Sequence, residues 1–210
     1  VGNSRGKRSR ADILAAAVEL FGDKRYEEVS LEEITTRAGT AVGSVNYYFG
    51  GKRGVYLEAV AAVFDGFWEQ LQDLRGPVLG RLQRGIDIVL DSAEQQPQVF
   101  LSLMVNVPDE EIRGLRDRYR NRMISAFVME AVEGPPSPVL DAAMSSGLAA
   151  IEDLIARWVR DGLLDREQLR GLITAAFPAF ILAALQQDSA LRPSKRMIAA
   201  LSGNGDSKDS

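Results

Sequence analysis

The stretch Ser30-Leu31-Glu32-Glu33-Ile34-Thr35-Thr36-Arg37-Ala38-Gly39-Thr40-Ala41-Val42-Gly43-Ser44-Val45-Asn46-Tyr47-Tyr48-Phe49-Gly50-Gly51-Lys52 decides the fold. Its first four residues form a capping box, in which a serine and a glutamate three residues on satisfy the free amides of a helix start. The helix they open runs through Ala38 with Leu31, Ile34 and Ala38 inward, and Gly39 makes the turn. A second short helix, capped from Thr40, spans about Ala41 to Tyr48 and stops at Phe49-Gly50-Gly51. Two short helices joined by a glycine-containing turn are the helix-turn-helix pattern.

Outward from that pair the periodicity stays helical. Upstream, Ser9 caps a helix reaching Phe21, with Asp12 in its first turn, Ile13, Ala16, Ala17 and Leu20 on one face, and Gly22 as its end. Downstream, a long amphipathic helix runs from Lys52 to about Leu74, and Gly76-Pro77 breaks it. Further helical patterns occupy 78–95, 97–105, 109–132, 138–161 and 165–188, with a weak one at 193–201. No apolar–polar alternation is long enough for a sheet. The fold class is therefore all-α, with an N-terminal three-helix head and a larger helical body. The expected divisions are a flexible basic arm at 1–8, the head at 9–56, the body at 57–201, and a disordered Gly-, Ser- and Asp-rich tail at 202–210.

The 210 residues include no cysteine and no histidine. That removes disulfides, Cys or His zinc sites, Ser-His-Asp and Cys-His catalysis, and imidazole acid–base chemistry. No spacing of carboxylates or tyrosines suggests catalysis, so no enzyme, metal or cofactor is expected. The formal charge of −4 is unevenly spread. Residues 1–53 hold 9 basic and 7 acidic side chains, and residues 54–210 hold 16 and 22. Arg5, Lys7, Arg8 and Arg10 stand together with no acid among them. A basic arm on such a head suits contact with a polyanion. The longest nearly apolar run, Gly171 to Leu185, is 15 residues and carries Thr174 and Pro178, too short and interrupted for a membrane span. No apolar leader is visible either, so a cytoplasmic location without membrane association is expected.

On the second short helix Val42, Gly43, Ser44, Asn46 and Tyr47 face outward, while Val45 and Phe49 anchor it. Small and polar side chains there suit base edges in a major groove. Asparagine fits bidentate bonding to adenine, and Gly43 lets the backbone come close. Residues 9–58 resemble the DNA-binding domain of the tetracycline-repressor (TetR) family of bacterial transcriptional regulators. The resemblance is carried by Ser9-Arg10-Ala11-Asp12-Ile13-Leu14, Ala16-Ala17 with Leu20-Phe21, the Ser30–Ile34 stretch, Arg37-Ala38-Gly39, the Gly43–Phe49 stretch, and Gly51-Lys52 with Tyr56-Leu57. It implies that Val42, Gly43 and Asn46 touch bases, and that Ser30, Ser44, Tyr47, Tyr48 and Lys52 touch phosphates of double-stranded DNA. Arg5, Lys7 and Arg8 would reach an adjacent minor groove. Asn46 stands where the family most often has tyrosine, so its base preference is expected to differ. The resemblance further implies a homodimeric, nucleoid-associated repressor on a palindromic operator, released by a small, largely apolar effector.

The body holds bulky candidates for an effector pocket: Phe64, Phe67, Trp68, Phe100, Met104, Met123, Phe127 and Trp158. Arg113, Arg116 and Arg120, spaced i, i+3, i+7, form either a solvated face or an anionic ligand site. The helices at 138–161 and 165–188 are rich in small residues, among them Ala142, Ser146, Gly147, Ala150, Ala175, Ala179 and Ala183. They also carry more apolar surface than one face needs. A two-fold four-helix interface between two copies is the expected use of that surface, with Pro178 kinking the second helix.

Overall fold

The computed structural model describes residues 2–104, 109–135 and 137–201. The described residues form ten helices: α1 (Gly2–Asp23), α2 (Leu31–Ala38), α3 (Val42–Phe49), α4 (Lys52–Gln72), α5 (Val78–Gln95), α6 (Pro97–Met104), α7 (Glu110–Ala131), α8 (Pro138–Asp161), α9 (Arg166–Gln187) and α10 (Lys195–Leu201). The expected tail at 202–210 lies outside the described residues. Side-chain caps account for most of the body's helix starts. Asp109 caps α7 through the amides of Glu111 and Ile112, Ser137 caps α8 through Leu140, and Asp165 caps α9 through Gln168. One feature had no counterpart in the periodicity. Residues Val132–Glu133 (β1) pair antiparallel with Arg192–Pro193 (β2), clipping the end of α7 to the approach of α10. Two residues are too few to show an alternating pattern.

Three local expectations need correction. The first helix begins at Gly2, not Ser9, so residues 2–8 extend α1 and Ser9 lies within it. No proline interrupts this segment, and once nucleated a helix gains one hydrogen bond per added residue. The segment also leans on α3, since a Cβ on Gly6 would sit 3.2 Å from the Tyr48 hydroxyl. Gly22 does not end α1, which continues to Asp23. It is buried where the chain between α5 and α6 crosses, and a Cβ there would fall 2.1 Å from Gln96 Oε1. Finally, α3 starts at Val42 with Ala41 as an N-cap that makes no side-chain hydrogen bond. The Thr40 hydroxyl instead donates to the Ser44 hydroxyl at 3.0 Å.

Packing divides into two apolar clusters. The larger joins Ile13, Ala17 and Phe21 of α1 and Ile34 and Val45 of the short pair to Val55, Val60 and Phe64 of α4, then to Leu90, Phe100, Leu115, Ile155 and Leu169 of the body. Head and body thus share one core, and α4 runs through it. The smaller cluster unites Met144 and Leu140 of α8, Phe177 and Ile181 of α9, Val132, Leu191 and Met197 at the far end. Close approach of α8 and α9 rests on Gly147, where a Cβ would lie 2.8 Å from two ring carbons of Phe180. By length and composition the 22-residue α9, with an 18-residue window of mean hydropathy 1.6, is apolar enough to cross a membrane. Leu169, Ile173, Phe177, Ile181 and Ala184 nonetheless bury one face of it in the two cores. It runs unbroken through Pro178.

Candidate nucleic-acid interface

The head presents α3 by holding it from behind. Val45 is fully buried and Phe49 nearly so, and both join the core formed by α1, α2 and α4. α2 is fixed in turn by Ser30, whose Oγ accepts from the Glu33 amide at 3.0 Å, and by Gly39, which closes the helix in the left-handed conformation at φ 63°. Gly50, at φ 71°, does the same for α3, and this turn leads directly into α4. There Gly54 is indispensable to the fit: a Cβ on it would lie 1.7 Å from the Phe49 carbonyl oxygen. α3 is therefore seated against the backbone of α4.

With its inner face so anchored, the remainder of α3 is offered to solvent. Gly43 and Asn46 are exposed, Val42, Ser44 and Tyr48 are half-buried, and Tyr47 is 82% exposed. Nothing lies within 4 Å of a Cβ built on Gly43, so that stretch of backbone is open to approach. Tyr47 and Tyr48 meet edge to face, their ring centroids 4.9 Å apart. The structure thus brings Val42, Gly43, Ser44, Asn46, Tyr47 and Tyr48 onto one short helix, with Ser30 at the start of α2 and Lys52 at the start of α4. Lys52 is half-buried, and its ammonium stands 4.3 Å from the centre of the Tyr26 ring. This cation–π contact holds the charge at the first turn of α4, where the helix dipole also favours an anion.

Charged pairs brace the head at its edges. Arg37 reaches Glu19 at 2.7 Å, joining α2 to α1. Lys24 pairs with Glu33, which holds that carboxyl below its usual range. Arg10 pairs with Glu58 and lies over the Phe49 ring at 4.8 Å. Such exposed pairs each contribute little stability, and their use is to fix orientation. A further link was not foreseen. Arg53, the second residue of α4, places its guanidinium between Asp109 at 2.8 Å and Glu111 at 2.5 Å, both at the start of α7. Asp109 is held below the usual carboxylate range, first by the Ile112 amide and also by Arg53. The sequence placed these acids at the start of α7 but carried no local signal of a partner 56 residues earlier. A cleft of about 320 Å³ opens beside this clasp, lined by Tyr26, Arg53, Tyr56, Ser102 and Asp109 among others.

Of the body residues expected to line a pocket, Phe64, Phe67 and Phe100 form a packed aromatic group with Tyr119. Phe64 meets Phe67, Phe100 and Tyr119 with ring centroids 4.9, 5.4 and 5.0 Å apart. Met123 and Trp158 are half-buried against the same core. Trp68 is buried, with Arg122 over its ring at 4.6 Å and no acceptor for its indole N–H among the described residues. The side chains of Met104 and Phe127 lie outside the described residues. Groups of acidic residues able to hold a metal ion are absent among the described residues.

Residues 13–59 match the family model for bacterial regulatory proteins of the tetR family. The chain is 27% identical to the transcriptional regulator RutR of Escherichia coli K12, over 76% of this chain and 68% of that one. Its fold is similar to a tetR-family transcriptional regulator from Streptomyces coelicolor, at a TM-score of 0.78 and 22% identity, covering 87% of this chain and 84% of the other. It is also similar to the regulator FadR of Bacillus subtilis, solved in complex with stearoyl-CoA, at a TM-score of 0.58 and 16% identity, covering 82% and 97%.

Proposed function

From the premise that this chain is a transcriptional regulator of the tetR family with a helix-turn-helix DNA-binding head, and not an enzyme, we propose that it is a homodimeric repressor. It binds a palindromic operator in the cytoplasm and leaves it when a small, largely apolar effector enters the body. The observation that carries this reading is the outward face of α3. Gly43, Asn46 and Tyr47 stand exposed while Val45 and Phe49 clamp the helix from within. Asn46 reads a base, and Lys52, Ser44, Tyr48 and Ser30 take phosphates. Two copies set two such helices about 34–36 Å apart, one turn of DNA.

The dimer is built on α8 and α9. Exposed Val139, Ala142, Ala149 and Ala150 on the first helix, with Leu172, Ala175, Ala179 and Leu182 on the second, leave apolar surface uncovered by the described residues. An effector site in the body is supported by the similarity in fold to FadR, which was solved with stearoyl-CoA bound. An effector works only if it binds the two head spacings unequally.

The test is selection of bound fragments from genomic DNA at near-physiological salt, followed by sequencing. A shared inverted repeat is expected. Asn46→Ala should alter preference at one position of each half-site, and Lys52→Ala should weaken all sequences alike. Recovery without any common repeat, equal for wild type and Asn46→Ala, would overturn the assignment.

A further inference from the structure

We propose that the seam between α7 and α8 binds a carboxylate, with Arg116 and Arg120 receiving the anionic end of a small amphipathic acid. The proposal rests on reading the body as the effector-binding part and names the chemistry it selects. Arg116 and Arg120 lie one turn apart on α7, and each side chain is only 19% exposed. The buried carboxylate facing them is Glu152 of α8. Arg120 stands 3.3 Å from Glu152 Oε2 and donates to the Ser145 carbonyl at 3.0 Å. Arg116 is less well served. Its Nε is buried with no hydrogen-bond acceptor, and its ion-pair neighbour is the exposed Asp117, 3.7 Å away.

Arg120 is thus paired with Glu152 directly, while Arg116 acts on that carboxylate from farther off and has Asp117 at 3.7 Å. Burial makes Glu152 harder to ionise, and the attraction of both arginines opposes this. The buried Arg116 Nε, an N–H donor without an acceptor, is costly to hold from water, and an incoming carboxylate would supply that acceptor. A planar carboxylate matches the arginine fork with two parallel hydrogen bonds. Half-buried Met123, one turn beyond Arg120, and Ile151, beside Glu152, supply apolar surface for the rest of such a molecule. The site is reachable because each of the two arginine side chains keeps 19% of its surface exposed.

The experiment is thermal unfolding of the full chain with octanoate and with its neutral isostere octanamide, at fixed ionic strength. Octanoate should raise the midpoint in a saturable way and octanamide should not. Arg116→Gln should weaken the apparent octanoate affinity about tenfold or more, while Arg113→Gln, which removes an exposed charge one turn away, should leave it unchanged. Equal shifts from both compounds, no shift from octanoate, or the same octanoate affinity in Arg116→Gln as in wild type would overturn the site. DNA binding is measured on the same samples. Failure to bind any genomic fragment would defeat the regulator reading, whereas DNA binding with no octanoate shift would defeat the carboxylate site alone.

Discussion

Adding one methyl group at Gly54 should move the recognition helix. The new Cβ would stand 1.7 Å from the Phe49 carbonyl oxygen and 2.9 Å from its carbon. A comfortable carbon–oxygen contact needs about 3.3 Å, so α3 and α4 must part by about 1.6 Å at that point. The obstacle is backbone at the end of α3, so no rotamer change relieves it. Overpacking of this kind costs about 1–3 kcal/mol, and alanine's better helix propensity returns up to about 1 kcal/mol. With the full propensity gain the net loss is up to about 2 kcal/mol, which should lower the melting midpoint by up to roughly 8 °C in a chain of this size. The effect on DNA should be larger. In the proposed complex a shift above 1 Å would break bidentate base bonds that are each worth about 1–3 kcal/mol, and the proposed dimer would lose them twice. We expect operator affinity, read by fluorescence anisotropy, to fall by about 30-fold or more. Gly66→Ala is the control. It lies on the same helix with nothing within 4 Å of its Cβ, and should raise stability slightly without touching affinity. A Gly54→Ala protein that melts with wild type and binds the operator equally well would refute the reasoning.

Gly147→Ala should push the base of the Phe180 ring from a 2.8 Å contact; a drop of a few degrees in the circular-dichroism midpoint is expected, and an unchanged midpoint would show that α8 and α9 have room to spare. Burial pushes the Tyr119 hydroxyl up to about 12, with the charge of Asp65 adding to the effect. The folded state then holds its proton more tightly than the unfolded one, so this contribution is intact below pH 10 and lost as pH rises from 10 toward 12. Tyr119→Phe should flatten that alkaline decline, at the expense of the 3.0 Å bond to the Ala61 carbonyl; melting curves taken across the window would show it. Ala179→Glu on the exposed side of α9 should convert the proposed dimer to monomer in sedimentation velocity, and an unchanged sedimentation coefficient would move the interface elsewhere.

Much of the architecture was legible because its signals are local. Gly39, Gly50-Gly51 and Gly76-Pro77 punctuate the chain, and the helix limits around them follow. The short helix pair was readable for the same reason, with Ser30 and Gly39 bracketing one face of Leu31 and Ile34. The misreadings involve competition or distance. Ser9 looks like a cap, but residues 2–8 continue α1 along the flank of α3, a contact that adjacent residues do not announce. Gly22 looks like a stop and instead makes room for Gln96. Arg53 with Asp109, and Lys52 with Tyr26, are pairs formed by the fold across many residues. The aromatic residues of α4 and α6 illustrate a different limit. Their size and spacing predict burial, but whether they line a space or fill one depends on neighbours from α7 and α8.

The shared core bears on how such a protein can be re-engineered. α4 contributes Val55 and Val60 to the same packed mass that holds Ile34 on one side and Leu90 on the other. There is no neutral seam at residue 56 at which to splice. A chimera joining this head to another body would inherit mismatched halves of a single interior, and its first fault would be a cavity or a clash around α4. Exchange of DNA specificity is therefore better sought by rewriting the exposed positions of α3 than by transplanting the head.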